Sequence, residues 1–574
     1  MFCTTAPERY GSLAVAYRGY IANRPELLRS AAIEQASKNV SDGQIFASVY
    51  HRHGDDLQAK VAGEYALAIF DFERNSLLLT HDGLGILPVY YSISPGQITF
   101  ASQLDLLVGF CAPTELDRDY LTDLLAWAEH AGDHTPFKAV CRLMPGQSLS
   151  WTPRHHHLRT TWDLASVGPI RYRQPGDYED QFRHLLRRGV NEALRAEGVV
   201  WSELSGGLDS SSVACMAAHA GHKTVELLSM TFSRSKIGDE TPWMQEVVKQ
   251  TGLRWHTLDF DETPPFARLP EATYAEPHFV MPVADFFDRL GGLIRANNVQ
   301  VLLTGFGGDQ IFQGDEPEPV YLADLFLNGR FARMLRGLRE WHLGSSSKRS
   351  MSYIFLRSVL GPSARRLRSR ALFNRRRAPP PYLHDDVLRT LRARRAELQR
   401  RGAHGRSIGD QYFLERMADI GLSAANYRSR LADICEVRHP LLYRPLVEFM
   451  FAIPWEEKLD PVWDRLLQRR ALQGILPEPI RRRRDKRGSE QVYFEGLRKG
   501  ASWLKCLTDK PRLVSHKLVD EKRWSEAVSQ ARYGRTYMMS MFVTAAIVEV
   551  WLRQRELGRS PLNLTEVQRL DKDL

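Results

Sequence analysis

No uninterrupted apolar run in this sequence approaches the roughly 20 residues that a membrane-spanning helix needs, so no membrane span is expected. Cysteine is scarce. The six stand singly at 3, 111, 141, 215, 435 and 506, without the paired spacing of a zinc site or the density of a disulfide scaffold, and reduced thiols are the expectation. The first residues lack a basic stretch followed by a longer apolar one, which argues against a secretory signal and for a cytoplasmic location. Acidic residues are in deficit, 68 against 78 Lys and Arg, for a formal charge of +10. That excess favours an anionic ligand or partner. No recognisable nucleic-acid module accompanies it, so nucleic acid is not expected, and ATP, pyrophosphate or an acidic peptide meets the charge as well.

What is present is the composition of a globular protein, 43% hydrophobic and 25% charged. At 574 residues the chain is too long for one hydrophobic core, and two domains are expected. From about 13 to 110, short β-branched or aromatic runs broken by turn residues (SLAVAYRGYIA, YALAIFDFERNSLLLTHDG, PVYYSISPGQITFAS) predict strands and hairpins, and TPFKAVCRLMPGQSLSW continues the pattern. The turn-rich stretch from Ser166 to Asp180 reads as a linker, with a boundary near 168. Beyond it helical and strand-like patterns alternate: YEDQFRHLLRRGVNEALRA, VVWSE, DSSSVACMAAHAG, TVELLSMTF, VADFFDRLGGLIRAN, VQVLL. Such alternation implies a mostly parallel sheet with its ligand outside the carboxyl ends of the strands. Between about 323 and 410 arginines crowd a helical pattern, either a solvated surface or an arm for an acidic partner.

Ser205, Gly206, Gly207, Leu208, Asp209, Ser210 and Ser211 follow an apolar strand and open a helix. A helix N-terminus attracts anions. Glycines there let the backbone approach a phosphate, serines donate hydrogen bonds, and Asp209 can hold Mg²⁺ against phosphate oxygens. This run resembles the signature of the ATP pyrophosphatases and, among them, the synthetase domain of asparagine synthetase B. The resemblance extends to a second acidic loop, Leu303 to Asp309 with Gly305, Gly307 and Gly308, in which it implies Asp309 as a second metal carboxylate. It extends also to Glu436-Val437-Arg438-His439-Pro440, and to Asp485-Lys486-Arg487-Gly488. By this resemblance Lys486 is the cation for negative charge in the transition state. Glu436 orients or deprotonates an amine, or is instead the buried partner of Arg438.

Residues 1–167 resemble the glutaminase half of the same family, through Tyr17 to Leu27, Gly63 to Asp71, Asp82 to Tyr91, Phe100 to Ser102 and Pro145-Gly146. The implied fold is a degenerate glutaminase-like α+β sandwich, followed over 168–574 by a doubly wound α/β synthetase domain with helical additions. A working glutaminase of this type needs cysteine directly after the initiator methionine. Here Phe2 stands in that place, and Cys3 is expected not to be a nucleophile. The glutamine-recognising arginine and asparagine-glycine segments are also not recognisable.

Without ammonia from glutamine, the amine must come from the substrate or a second molecule. Two branches of the family fit, the β-lactam synthetases and the lasso-peptide macrocyclases. The run Asp209-Ser210-Ser211-Ser212-Val213-Ala214, the stretch Asp239-Glu240-Thr241-Pro242 and the arginine-rich insert look more like the macrocyclases, and Phe306 leaves the base pair of β-lactam synthesis incomplete. The resemblance implies ATP and Mg²⁺ as cofactors, a ribosomal precursor (core) peptide as substrate, and a separate leader peptidase and leader-binding protein as partners. Asparagine synthesis from free ammonia is the rival within the class. A nucleotide-binding scaffold without activity is the rival outside it.

Overall fold

At the start of the segment LAVAYRGYI, Leu13 and Val15 are buried while Ala14 and Ala16 are only partly so, the period-two pattern of a strand with one face on a core. A computed structural model describes residues 7–30, 40–126, 132–234, 239–313, 319–344, 349–367, 378–400, 406–418, 420–428, 431–484, 490–536 and 538–557. The first part holds β1 (Glu8–Tyr10), β2 (Leu13–Ile21), β3 (Gly63–Asp71), β4 (Ser76–His81), β5 (Tyr90–Ser94), β6 (Gln97–Ala101), β7 (Cys141–Arg142), β8 (Gln147–Trp151) and β9 (His156–Thr160). They form an antiparallel sheet of order β1-β2-β3-β4-β8-β9 and a small one of order β6-β5-β7. Ala66, Ala68, Leu77, Leu79, Val89, Tyr91 and Leu149 pack in one apolar cluster shared by the two sheets. Another cluster joins the large sheet to the helix Asp42–His53 through Phe46, Val49, Tyr65 and Leu67. The expected hairpins are present.

The second part holds β10 (Val199–Glu203), β11 (Glu226–Thr231), β12 (Trp255–Asp259), β13 (Val299–Leu303) and β14 (Glu436–Arg438). They run in parallel in the order β12-β11-β10-β13-β14. Chain order reverses between β10 and β13, which makes these two central strands the topological switch point, where ligands of open α/β sheets bind. Both glycine-acid motifs are the loops leaving these two strands. Mixed α/β architecture with a parallel sheet is thus established, and β12 and β14 are additions to the sequence reading.

One expectation needs correcting. The expected linker from Ser166 to Asp180 is partly helix: Pro175 begins the helix Pro175–Ala193, and Gln174 and Asp177 close a reciprocal capping box. Proline at the first helical position supplies the right φ and forfeits no bond, so PGD opens a helix where it read as a turn. The arginine-rich region is helical as expected, but some of its charge is engaged. Arg394 pairs with Asp119 and, at 3.2 Å, with Asp123, and just beyond the region Arg416 donates to the Asp309 carbonyl at 2.7 Å. Residues 368–377 of that region lie outside the described residues.

The two parts share core. Tyr20, Leu84 and Ile86 belong to the same apolar cluster as Phe182, Val213 and Leu442. Arg444 donates to the carbonyls of Gln58, Val61 and Ala59 at 2.9, 3.0 and 3.2 Å, where a cation meets the exposed carbonyls of a helix end. His439 N donates to Glu64 Oε1 at 2.6 Å.

A second junction is acidic. Asp105 Oδ1 accepts from Ala275 N at 2.6 Å, and Tyr120 Oη donates to Glu276 Oε2 at 3.2 Å. Burial, with the neighbouring Asp105 carboxylate, raises the Glu276 carboxyl to about 7 against the pull of Arg142. Burial likewise raises Asp105 to about 6. A carboxyl raised on folding binds its proton more tightly in the native state, so its stabilising contribution is full below the ordinary carboxylate range and fades as pH rises through the folded value. Glu276→Gln should therefore gain stability relative to the parent as pH goes from 4.5 to 7.5. Thermal midpoints of the two proteins across that range check this, and a constant difference would refute it.

Candidate active site

The turn after β10 is built to meet an anion. Gly206 has φ +72, in the left-handed region that glycine tolerates, and a Cβ there would lie 2.8 Å from Trp243 Cβ. Gly207 is the N-cap of the helix Leu208–His219. Ser210 Oγ accepts from Ser205 N at 3.0 Å and lies 3.0 Å from Ser205 Oγ, so the two hydroxyls hold the turn closed over the helix N-terminus. Ser211 is fully buried, and among the described residues its Oγ has no hydrogen-bond partner. The expected residues of the first loop, Ser205 to Ser211, are therefore one structural unit at the positive end of a helix.

The second loop packs directly against the first. A Cβ on Gly305 would fall 2.5 Å from Ser210 N, and one on Gly308 would fall 2.3 Å from Asp209 Cγ. Gly307, with φ +92, caps the short helix Gly308–Ile311 that carries Asp309. The glycines are what allow two acidic loops to touch. Gly308→Ala should force Asp209 aside and lower any turnover that uses this pair by about tenfold or more, with the folded content intact, since a misplaced group costs rate before stability. Circular dichroism beside a turnover assay tests it, and an unimpaired Gly308→Ala protein would show that the close approach is incidental.

Arg465 bridges the two carboxylates. Its Nη2 lies 3.3 Å from Asp209 Oδ2 and is hydrogen-bonded to Asp309 Oδ1. Gln468 Nε2 donates to Asp209 Oδ1 at 3.2 Å and to Ser212 Oγ at 3.0 Å. Arg469 donates to Asp464 Oδ1 at 2.6 Å and to the carbonyls of Arg481 and Arg483 at 2.7 and 2.9 Å. Burial raises the Asp464 carboxyl, with Arg469 opposing, and burial lowers Arg469. Arg483, itself buried, donates to Gly206 O at 3.0 Å, pairs with Glu240, and lies 4.9 Å from the Trp243 ring centroid. The chain running up to Arg484 is thereby tied to the phosphate-type turn. Lys486, with the rest of 485–489, lies outside the described residues.

Glu436 forms the ion pair with Arg438, with its own side chain 34% exposed. Glu436 Oε2 accepts from Arg438 Nη2 at 2.7 Å, and Arg438 also donates to Ala193 O and Arg195 O at 2.8 and 2.7 Å and covers the Tyr20 ring. Glu436 sits two positions before the end of β14, paired with Val301 in the middle of β13. Among the described residues it makes no hydrogen bond to either acidic loop. The reason is geometric: alternate strand residues share a face, so Glu436 meets Arg438.

Arg465, Gln468, Arg469 and the Arg483–Glu240 pair were missed from sequence. Nothing local singles out Arg465 to Arg469, and Arg483 is the buried member of a basic run whose neighbour Arg482 is largely exposed.

A magnesium–nucleotide complex fits these groups. Two hard carboxylates converge on one cation, glycines clear the approach, and a helix N-terminus faces the gap. Among the described residues no cluster of three or more His, Cys, Asp or Glu makes a metal cage. No helix among them is long and apolar enough to cross a membrane.

Residues 181–553 match the family described as asparagine synthase, and residues 6–162 that described as glutamine amidotransferase domain. Asparagine synthetase (glutamine-hydrolysing) 3 of Bacillus subtilis is 23% identical over 545 residues, covering 91% of this chain and 82% of that protein. Amidase chyE of Penicillium rubens is 26% identical over 295 residues, 48% of this chain and 43% of that protein. Among solved structures, a glutamine phosphoribosylpyrophosphate amidotransferase from B. subtilis matches 46% of this chain and 65% of its own, at 13% identity and a TM-score of 0.21.

Proposed function

Because this chain belongs to the asparagine synthase family, we propose that it adenylates an Asp or Glu side-chain carboxylate of a ribosomal core peptide and closes a macrolactam with the peptide's N-terminal amine. The reaction class, ATP-dependent formation of a carbon–nitrogen bond, comes with the family. The observation that carries the chemistry is the contact of the Asp209 and Asp309 loops at the sheet's switch point. In the first step the substrate carboxylate attacks the α-phosphate of ATP and pyrophosphate leaves. Asp209 and Asp309 would hold Mg²⁺, which supplies charge neutralisation to the phosphates. The amides of the Gly206–Asp209 turn would bind phosphate oxygens, and Lys486 would face the developing charge. In the second step the amine attacks the acyl carbon, AMP departs and the amine proton is lost. A peptide α-amine has a pKa near 8, so a useful fraction is neutral at neutral pH without a dedicated base, and holding amine and acyl group together supplies the rate.

The peptide reading is supported by the Asp209–Ala214 run, Asp239–Pro242, the arginine-rich insert and Phe306. It calls for a leader peptidase and a leader-binding protein as partners. A second reading, asparagine synthesis from aspartate, is favoured by the Bacillus relative's coverage of 91% of the chain. A screen for AMP formation decides between them. Leader-free candidate peptides should stimulate AMP release and yield a product lighter by one water with a blocked N-terminus, while glutamine is not hydrolysed. AMP formation with aspartate plus ammonia or glutamine, and with no peptide, would replace the macrocyclase reading by the second one.

A further inference from the structure

Arg465 stands at the point where the charge balance of the site is set. It precedes the helix Leu466–Ala471 with φ +52, a left-handed conformation that non-glycine residues adopt rarely and at some cost. Its side chain is 10% exposed, and its Nε is buried with no hydrogen bond among the described residues. The other guanidinium nitrogens face three carboxylates: Nη2 meets Asp209 and Asp309, and Nη1 lies 3.9 Å from Asp464 Oδ2.

Two carboxylates brought to one point repel unless a cation lies between them. Here the guanidinium is that cation. A divalent ion drawn to the same two carboxylates would share the gap with the guanidinium, and two cations that close repel each other. Asp464 offers the guanidinium another partner. Its two oxygens are divided, Oδ1 accepting from Arg469 at 2.6 Å and Oδ2 facing Arg465, so Arg469 keeps this carboxylate oriented whatever Arg465 does. Nucleotide phosphates entering at the helix N-terminus would offer a further anionic partner.

We infer that Arg465 is a counter-ion latch: it occupies the Asp209–Asp309 pair while no nucleotide is bound, and cedes it to Mg²⁺ by moving onto Asp464 and the arriving phosphates. This rests on the reading that Asp209 and Asp309 are the magnesium ligands. Metal and nucleotide then bind with positive coupling, each favouring the state the other needs. Metal alone must displace a fixed cation, while metal with nucleotide meets a guanidinium that has somewhere better to go.

Mn²⁺ serves as the probe, with free ion followed by electron paramagnetic resonance during titration of the full-length protein, alone and with a non-hydrolysable ATP analogue. The parent protein should bind Mn²⁺ weakly alone and tightly with the analogue, at a site lost in Asp309→Asn. Arg465→Gln and Arg465→Met should bind Mn²⁺ without nucleotide about tenfold more tightly or better, because the competing cation is gone, and the gain from the analogue should shrink correspondingly. Arg465→Lys, which keeps the charge, should retain the parent's weak metal-only binding. Thermal unfolding confirms that each variant is folded. Unchanged or weaker metal-only binding in both neutral variants, or an Arg465→Lys protein that behaves like Arg465→Gln, would overturn the latch while leaving the metal site standing. Absence of any Asp309-dependent Mn²⁺ site, with or without analogue, would remove both.

Discussion

Asp209→Ala and Asp309→Ala should each lower substrate-dependent pyrophosphate release by about a thousandfold or more, since each removes one of two carboxylates that would hold the charge-neutralising metal. The alternative cause of such a loss, unfolding, is small by comparison. Asp209 lies in the first turn of the helix Leu208–His219, where an acidic side chain contributes about 0.3–1 kcal/mol through the helix dipole. Asp309 sits on a four-residue helix with its side chain 26% exposed, outside the apolar clusters that hold the sheet. Removing either leaves Arg465 with the other carboxylate and Asp464, so no buried charge is stranded. A thousandfold in rate is about 4 kcal/mol of barrier, well above the stability cost, and the two effects separate when turnover and thermal midpoint are measured on the same preparation. Undiminished pyrophosphate release from both variants would dismiss the pair as the metal site.

Much of this site is legible in the sequence because its signals are local. A strand, a glycine-serine turn and a helix occupy consecutive residues from Val199 to His219, and each part has its own propensity. The same holds for Val299 to Ile311. That the two loops touch is less direct, but parallel strands alternating with helices place their loops on one edge, and the glycines at 305 and 308 have no other evident reason to be there. What escaped was everything that depends on approach between distant segments. Arg465 comes more than 150 residues after Asp309, and nothing in DRLLQRR distinguishes it from Arg470, which pairs with Glu179 and Glu457 away from the site. Glu436 was ambiguous for a related reason. Its spacing from Arg438 reads equally as an ion pair within a strand or as a group acting on an amine, and the ion pair is visible only once the strand is in place. The linker from Ser166 to Asp180 failed differently, through proline, which opens helices as readily as it marks turns.

Lys486→Ala is expected to lower turnover by about a hundredfold or more while changing ATP affinity by only a few-fold, the signature of a donor that acts where charge grows in the transition state. Lys486 itself lies outside the described residues, but the chain that leads to it is fixed with unusual redundancy. Arg469 holds the carbonyls of Arg481 and Arg483, and Arg483 is clamped between Gly206 O, Glu240 and the Trp243 ring. These contacts hold the described chain up to Arg484 against the first loop, and the role proposed for Lys486 rests on the resemblance of Lys486-Arg487-Gly488 to the family's lysine-x-glycine pattern. Two variants therefore bracket the argument. Lys486→Ala removes the charge and leaves the tether, so turnover falls and nucleotide affinity stays. Glu240→Gln leaves the charge and loosens the tether at a buried pair, so turnover should fall less, and with it the precision of the site. Single-turnover pyrophosphate release at saturating ATP, with nucleotide affinity measured separately, distinguishes the two, and a Lys486→Ala enzyme of near-parental turnover would return this lysine to the solvated surface of its basic run.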